Sequence, residues 1–167
     1  KNIFAHGWWT VNGLKMSKSL HNVVEPNQLA DLFGVDVIRY FLLREVPFGL
    51  DGDFSHKALI GRLNSDLANN LGNLLNRTIN MMKKYFDEVI PIPSKTGEED
   101  TLLQNKANEV IDEVYNLYDE LAFNKILQKI WELVDTTNQY IDKTGPWNLV
   151  KTDEGKERLK TVMYNAA

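Results

Sequence analysis

The pattern of apolar and polar positions divides the chain into a short mixed region and a longer helical region. Residues 1–13 are rich in aromatic and β-branched residues and end in Asn12-Gly13, which predicts a strand followed by a turn. Residues 26–33 are expected to form a short helix, because Pro26 favours a helix start and Gly34 favours a helix end. The N-terminal third is therefore predicted to be a small α/β region.

A second short helix is predicted before the helical region begins. Asp36 is its expected N-cap, Pro47 stops it, and its apolar residues recur at helical spacing. Residues 48–54 are rich in Gly and Asp, which predicts a turn or a short strand.

A long helix is predicted to follow, with Ser55 as its N-cap and a possible break near Asn64-Ser65. Apolar residues at helical spacing define the side expected to face the core. These are Leu59, Leu63, Leu67, Leu71, Leu74 or Leu75, Ile79, Met82 and Phe86.

The remaining sequence predicts a helical bundle. After a connection over residues 87–99 that contains two prolines, three more helices are expected, at about 100–118, 122–143 and 153–164. The predicted fold class is therefore mainly α, with a helical bundle over 55–167 preceded by a small α/β region over 1–54.

Composition narrows the possible functions. The net charge of −4 argues against indiscriminate nucleic-acid binding, which requires a large basic excess. There is no Cys, and the three His residues show no ligand spacing, so no metal site is expected. No apolar run approaches membrane-spanning length and no targeting segment is recognisable, so a soluble cytoplasmic protein without a membrane partner is expected.

The most distinctive motif is the run Lys15-Met16-Ser17-Lys18-Ser19, which lies between a predicted strand end and a predicted helix. Lys supplies a mobile positive charge and Ser supplies hydrogen bonds, so the motif indicates a phosphate-binding loop. By composition alone, an ordinary solvated loop is the alternative.

A second unusual feature is an asparagine-rich side of the long helix, formed by Asp66, Asn69, Asn70, Asn73, Asn76, Arg77 and Asn80. Asn lowers helix stability but presents a donor and an acceptor on one short amide. Asn73 and Arg77 are four residues apart and project side by side, so together they could read a base edge and a phosphate. The alternative is that these amides cap helix ends or bridge neighbouring helices.

Trp147 follows Gly145-Pro146, where a helix is predicted to end. A Trp on a rigid turn is suited to stacking on an unpaired base, although it could instead plug the bundle. Trp131 lies in a helical apolar stripe and is expected in the core.

Residues 15–19 match, letter for letter, the KMSKS signature of class I aminoacyl-tRNA synthetases. The sequence on both sides resembles the methionyl-tRNA synthetase family, with the motifs in that family's order, and the resemblance covers essentially the whole chain. The matching segments are 6–13, 22–26, 36–45, 47–55, 73–77, 138–141 and Pro146-Trp147.

The resemblance implies roles for particular residues. Lys18, assisted by Lys15, would act in catalysis by contacting ATP phosphates during amino-acid activation, and residues 15–19 as a whole would form the ATP-binding loop. Asn73 and Arg77 would contact the first anticodon base of tRNA(Met), a cytosine, and Trp147 would stack on it. ATP with Mg would be the cofactor of the parent enzyme.

Two departures from the family limit what the resemblance implies. His21 stands where the family usually has Gly, which tolerates backbone conformations that His resists. The family's HIGH motif, nucleotide-binding sheet and methionine pocket have no counterpart in the sequence. We therefore expect a C-terminal fragment, with residues 1–54 ending the catalytic domain and contributing a stem-contact region, and 55–167 forming a truncated anticodon-binding bundle.

Such a fragment is expected to be inactive in aminoacylation and to carry no bound cofactor. ATP and methionine would be partners of the full-length enzyme only, which leaves the anticodon stem-loop of tRNA(Met) as partner. Two alternatives remain open. One is the equivalent fragment of a synthetase for valine, isoleucine, leucine or cysteine. The other is a helical interaction module without a nucleic-acid role.

Overall fold

A computed structural model describes residues 3, 5 and 7–167. Over these residues the chain is mainly α, as predicted, with one three-stranded sheet. The chain divides into two compact units. The first contains the described residues up to Leu67 together with Glu113–Lys129, and the second contains Ala68–Asp112 and Ile130–Ala167. The predicted domain boundary after residue 54 stays a prediction.

The sheet of the first unit has the strand order β2-β1-β3, with β1 at Trp9–Val11, β2 at Leu14–Lys15 and β3 at Gly52–Phe54. The predicted Asn12-Gly13 turn joins β1 to β2, and both of its residues have positive φ, at 50° and 75°. β3 pairs with β1 in parallel. The carboxylate of Asp53 accepts hydrogen bonds from the Gly13 N–H at 2.7 Å and from the Thr10 hydroxyl at 2.6 Å. These bonds tie the turn to β3.

Two short helices follow, α1 at Pro26–Phe33 and α2 at Val35–Glu45. The prediction that Asp36 caps α2 is wrong, because the helix begins at Val35 and Gly34 occupies the cap position with φ 91°. One glycine both ends α1 and precedes α2, so Asp36 lies in the first turn of α2. There its negative charge interacts favourably with the positive, N-terminal end of the helix dipole.

The core of the first unit lies between these helices, the sheet and the start of α3, which spans His56–Arg62. The ring of Phe41 meets the ring of Phe54 edge-on, with the centroids 5.7 Å apart. Ser55 caps α3 as predicted, because its hydroxyl accepts the Ala58 N–H at 3.1 Å. The buried core residues are Leu29, Ile38, Phe41, Phe54 and Leu59.

The predicted long helix changes its hydrogen-bonding pattern instead of breaking. A π-helix over Leu63–Gly72 separates α3 from α4, which spans Asn73–Phe86. A π-helix has more residues per turn than an α-helix. Residues spaced for one face of an α-helix therefore do not all lie on the same face once the chain has passed through it. The predicted inward positions of Leu71 and Ile79 are wrong, since these residues are 39% and 44% exposed. Of the predicted pair Leu74 or Leu75, Leu74 is the buried one, at 9% exposed.

The remaining helices are α5 at Glu98–Asp119, α6 at Phe123–Thr144, α7 at Pro146–Leu149 and α8 at Asp153–Ala166. Gly145 ends α6, as predicted, with φ 55°. The parts of α5 and α6 in the second unit pack with α4 and α8 around two clusters of buried side chains. These clusters contain Leu74, Leu103, Tyr140, Ile141 and Val162, and Met82, Leu159 and Met163.

A buried polar network links α5, α6 and α8 in the second unit. Asp100 is 2% exposed, and its carboxylate accepts hydrogen bonds from the Tyr140 hydroxyl at 2.5 Å, the Arg158 guanidinium at 2.9 Å and the Gly97 N–H at 2.7 Å. Burial by itself raises the pKa of Asp100, but the three hydrogen bonds and the positive charge of Arg158 outweigh it and lower the pKa below its usual value.

Candidate nucleic-acid interface and phosphate loop

Residues 15–19 lead from the end of β2 into a single 3-10 turn at Lys18–Leu20. Lys15 and Lys18 are exposed, whereas Met16 is half-buried. The hydroxyl oxygens of Ser17 and Ser19 lie 2.7 Å apart and share a hydrogen bond. The motif therefore presents two exposed lysine side chains to solvent, with a partly covered methionine between them.

Asn22 fixes the backbone on both sides of Met16. Its amide oxygen accepts the Ser17 N–H at 2.8 Å, and its amide nitrogen donates to the carbonyl of Lys15 at 3.1 Å. The sequence reading missed this role. The signal that could have found it is the position of an Asn just after the motif, because Asn side chains often bond to nearby backbone.

His21 has φ 49° and ψ 30°, which is the left-handed conformation. Its N–H donates to the carbonyl of Lys18 at 3.2 Å and closes the 3-10 turn. Gly adopts this conformation freely, whereas a residue with a side chain does so at a cost of roughly 1–2 kcal/mol. The departure from the family pattern thus falls at a position where the backbone favours glycine.

Arg77 lies on α4 and is held by two residues of α6. Its guanidinium donates to the Asp142 carboxylate at 2.8 Å and to the side-chain oxygen of Asn138 at 3.1 Å. The side chain of Arg77 is still 35% exposed. The two partners therefore fix the direction of a guanidinium that solvent reaches.

Asn73 is the first residue of α4 and is exposed. Its amide nitrogen donates to the carbonyl of Asn69 one turn earlier, at 2.8 Å. Because Asn73 and Arg77 are four residues apart on one α-helix, they lie next to each other on the same side of it. The predicted side-by-side placement of these two residues is confirmed.

The asparagine-rich side does not act as a single surface. Asn70 bridges α6, since it donates to Asp135 at 2.6 Å and accepts from Asn138 at 2.8 Å. Asn80 donates to Asn76 on its own helix at 2.9 Å. In the first unit, Asp66 accepts hydrogen bonds from Ser65, Tyr40 and Arg62. The bridging alternative therefore holds for Asn70. Asn73 and Arg77 are each held by hydrogen bonds and still reach solvent.

Trp147 lies in α7, directly after the turn that ends α6. Pro146 is fully buried, and the Asn148 N–H donates to the carbonyl of Gly145 at 2.8 Å, so the turn is tight. The indole of Trp147 is 46% exposed, which does not fit a side chain that only plugs the bundle. Trp131, which was expected in the core, is half-buried.

Asn138 and Asp142 are the residues of this site whose role the sequence reading missed. They are four residues apart on α6, so both project toward Arg77. The sequence signal for this role is an Asn followed four residues later by an Asp on one helix. It points to partners for Arg77 only once α4 and α6 are known to pack together.

His6, which opens the first family-like segment, lies outside the described residues. Across residues 3, 5 and 7–167, no group of three His, Asp or Glu side chains is arranged to hold a metal ion. No helix in the described part of the chain is long and apolar enough to cross a membrane.

The sequence of this chain is similar to that of known aminoacyl-tRNA synthetases. Residues 1–79 match the family model described as tRNA synthetases class I (M). The chain is 55% identical over its full length to a methionine–tRNA ligase of Caldanaerobacter subterraneus subsp. tengcongensis, and 47% identical over 166 residues to that of Thermotoga maritima. It spans 26% of the length of each of these relatives.

Solved structures agree with the sequence matches. The structure superposes with a TM-score of 0.92 on Mycobacterium tuberculosis methionyl-tRNA synthetase in complex with methionyl-adenylate, at 41% identity. That match covers 98% of this chain and 32% of the other. The apo form of the same enzyme gives a TM-score of 0.87 over the same shares of the two chains. The chain therefore belongs to the methionyl-tRNA synthetase family of class I aminoacyl-tRNA synthetases.

Proposed function

We propose that this chain binds the anticodon stem-loop of tRNA(Met) and reads its first base, a cytosine, with Asn73, Arg77 and Trp147. The observation that supports this most strongly is the Arg77 guanidinium, which Asn138 and Asp142 orient while 35% of the side chain stays exposed. A directed donor group at a solvent-accessible surface is the arrangement that base-edge recognition requires.

The chemistry of the three side chains suits cytosine. The Watson–Crick edge of cytosine carries two acceptors, O2 and N3, and one amino donor. Arg77 offers only donors, and the amide of Asn73 offers both an acceptor and a donor. Uracil presents an N–H where cytosine has N3, so a guanidinium directed at that position meets another donor. Trp147 supplies the flat face on which an unpaired base stacks.

The direct test compares the binding of four anticodon stem-loops that differ only in the first anticodon base. We expect the stem-loop with cytosine to bind most tightly. Trp147→Ala should weaken binding by ~1–3 kcal/mol, the usual contribution of a stacked base. Trp8→Ala is the matched control, because Trp8 is 80% exposed and lies in the other unit.

Arg77→Ala should reduce the preference for cytosine, and Lys83→Ala, an exposed basic residue on the same helix, should leave the preference unchanged. Equal affinity for all four bases would contradict the proposal. So would an equal loss in the Trp8 and Trp147 variants. Binding of no stem-loop at all would favour the helical interaction module instead.

We also propose that residues 15–19 contact ATP phosphates in the parent enzyme, which would attach methionine to tRNA(Met) through methionyl-adenylate. Two exposed lysines on a backbone clamped by Asn22 support this assignment. When the methionine carboxylate attacks the α-phosphorus, negative charge builds on the departing pyrophosphate. Lys18, assisted by Lys15, would stabilise that charge.

The test of this second role uses the full-length enzyme. Lys18→Ala should lower kcat for methionine-dependent pyrophosphate exchange, and Lys15→Ala should have a smaller effect in the same direction. Lys57→Ala, outside the loop, is the control. The 167-residue chain alone is expected to show no exchange, and measurable exchange by it would contradict the expectation that the chain is inactive by itself.

A further inference from the structure

A positively charged groove of about 540 Å³ lies in the second unit, between the end of α4 and the start of α8. Its basic side chains are Lys84 from α4 and Lys156 and Lys160 from α8. Glu157 also lines it, so three lysines against one glutamate give a net charge of +2. The whole chain has a net charge of −4. The α4–α8 groove is therefore a local positive region on an acidic chain, and it favours an anionic ligand.

The acidic side chains near the groove orient the lysines without removing their attraction for an anion. The carboxylate of Glu157 lies 2.7 Å from the Lys160 ammonium and accepts a hydrogen bond from the Ser94 hydroxyl at 2.8 Å. The Lys156 ammonium lies 2.8 Å from the carboxylate of Asp153, whose side chain is 98% exposed. Exposed ion pairs of this kind are weak, because water screens both charges. A phosphate that enters the groove therefore gains the lysines as partners at little cost in broken ion pairs.

Two aromatic residues of α4, Tyr85 and Phe86, line the groove beside the lysines and are half-buried. The Lys84 ammonium lies 5.1 Å from the centroid of the Tyr85 ring. Positive groups next to aromatic surface are the combination that binds single-stranded nucleic acid, because the phosphates meet the charges and the bases meet the rings. An inorganic anion would use only the charges. The groove is therefore better suited to a nucleotide of an unpaired strand.

The groove lies next to the residues proposed to read the anticodon. Arg77, Asn80 and Lys84 are spaced by three and four residues, so they form one line along α4. Lys84 is seven residues after Arg77, which places it ~10 Å further along the helix axis. Val150 lines the groove and follows Trp147 by three residues at the end of α7. An RNA strand with one base at Arg77 and Trp147 therefore brings a neighbouring nucleotide to the groove.

We propose that the α4–α8 groove binds the phosphate of an anticodon-loop nucleotide next to the base that Arg77 and Trp147 read. The three lysines hold the phosphate, and the two aromatic rings contact the same nucleotide. This inference rests on the proposed anticodon binding. It adds a contact to the RNA backbone, and such a contact contributes affinity without selecting a base.

The experiment measures the binding of anticodon stem-loops to the 167-residue chain at several salt concentrations. Lys84→Gln should weaken the binding of all four stem-loops that differ in the first anticodon base by the same factor. It should also reduce the slope of log K against log salt concentration by ~0.7, the value for one phosphate contact on a single strand. Lys84→Arg keeps the charge and should keep the slope. Lys83→Gln is the matched control, because Lys83 is exposed on the same helix but does not line the groove.

A neutral linkage in the RNA identifies the phosphate that is bound. A methylphosphonate replaces the phosphodiesters of the loop one at a time. A replacement next to the first anticodon base should weaken binding to the native chain and to the Lys83 variant, but should have no further effect on Lys84→Gln. Glu157→Gln should strengthen binding, since it removes the negative charge that lines the groove.

Equal salt slopes for the Lys83 and Lys84 variants would overturn the proposal, and so would an altered base preference in Lys84→Gln. Inorganic phosphate or AMP that binds the groove as tightly as the stem-loop does would assign it to a free anion and overturn the proposal as well. Equal affinity for all four first bases, together with a reduced slope for Lys84→Gln, would contradict base reading but support the groove as a backbone site. A chain that binds no stem-loop would overturn both.

Discussion

Replacement of Asp100 by asparagine should destabilise the second unit more than any other single change of one carboxylate to an amide in that unit. Asp100 is 2% exposed and accepts hydrogen bonds from Tyr140, Arg158 and Gly97. The variant keeps the shape of the side chain and removes its charge. Any loss of stability therefore reports on electrostatics and hydrogen bonding and not on a cavity.

The size of the loss in stability follows from the ion pair that Arg158 loses when Asp100 is replaced. Its side chain is 14% exposed, and its other acidic neighbour, Glu99, lies 3.8 Å away and is 46% exposed. Without the Asp100 charge, the guanidinium is left mostly buried beside a weak partner. Breaking a buried ion pair in this way costs about 3–5 kcal/mol. For a protein of this size, that corresponds to a fall in Tm of roughly 6–20 °C.

The assay is urea and thermal unfolding followed by circular dichroism, with Asp112→Asn as control. Asp112 is an exposed carboxylate on the same helix, and its replacement should change the free energy of unfolding by no more than ~0.5 kcal/mol. If the two variants unfold at the same urea concentration, the network does not stabilise the fold and the reasoning is refuted.

The pH dependence provides an independent check. The folded-state pKa of Asp100 lies below its usual value, and in the unfolded chain it is about 3.9. The stabilisation is therefore complete above about pH 5 and is lost as the pH falls through the folded-state pKa. The stability difference between the native chain and Asp100→Asn should be largest near neutral pH and should shrink below about pH 4.

Three further substitutions test local structure by urea unfolding. Gly155→Ala should destabilise the chain by about 1–3 kcal/mol, because the added Cβ would lie 2.1 Å from the backbone oxygen of Leu149. Gly61→Ala should stabilise α3 by ~0.5–1 kcal/mol, since nothing lies within 4 Å of its added Cβ. A lower free energy of unfolding for Gly61→Ala would contradict this expectation, because it would mean that the added methyl group meets a steric clash. Ser55→Ala should cost about 0.5–2 kcal/mol through loss of the cap to Ala58, and an unchanged midpoint would contradict that role.

The features that sequence predicted well have local causes. Pro26 and Gly34 delimit α1, Ser55 caps α3, and Gly145 ends α6, because each signal acts within a few residues of itself. The pairing of Asn73 with Arg77 was equally accessible, since it depends only on their spacing along one helix.

The features that sequence missed depend on residues far apart or on a change of helix type. The partners of Arg77, Asn138 and Asp142, are 61 and 65 residues away along the chain, and only the packing of α4 against α6 brings them together. The π-helix over Leu63–Gly72 has no local signature that separates it from an α-helix. Its wider turns explain why Leu71 and Ile79 were predicted on the buried side but are exposed.

The clamp on Arg77 has a consequence for the entropy of binding. Ordering a flexible side chain at an interface usually costs ~0.5–1.5 kcal/mol, and here Asn138 and Asp142 already restrict the guanidinium before any ligand arrives. If Arg77 reads an anticodon base as proposed, the same restriction would also work against a mismatched base. A guanidinium that cannot turn cannot find a second-best hydrogen bond, so a base with a donor in the wrong place would leave it unpaired. The rigidity of the Arg77 side chain would then contribute mainly by excluding bases other than cytosine.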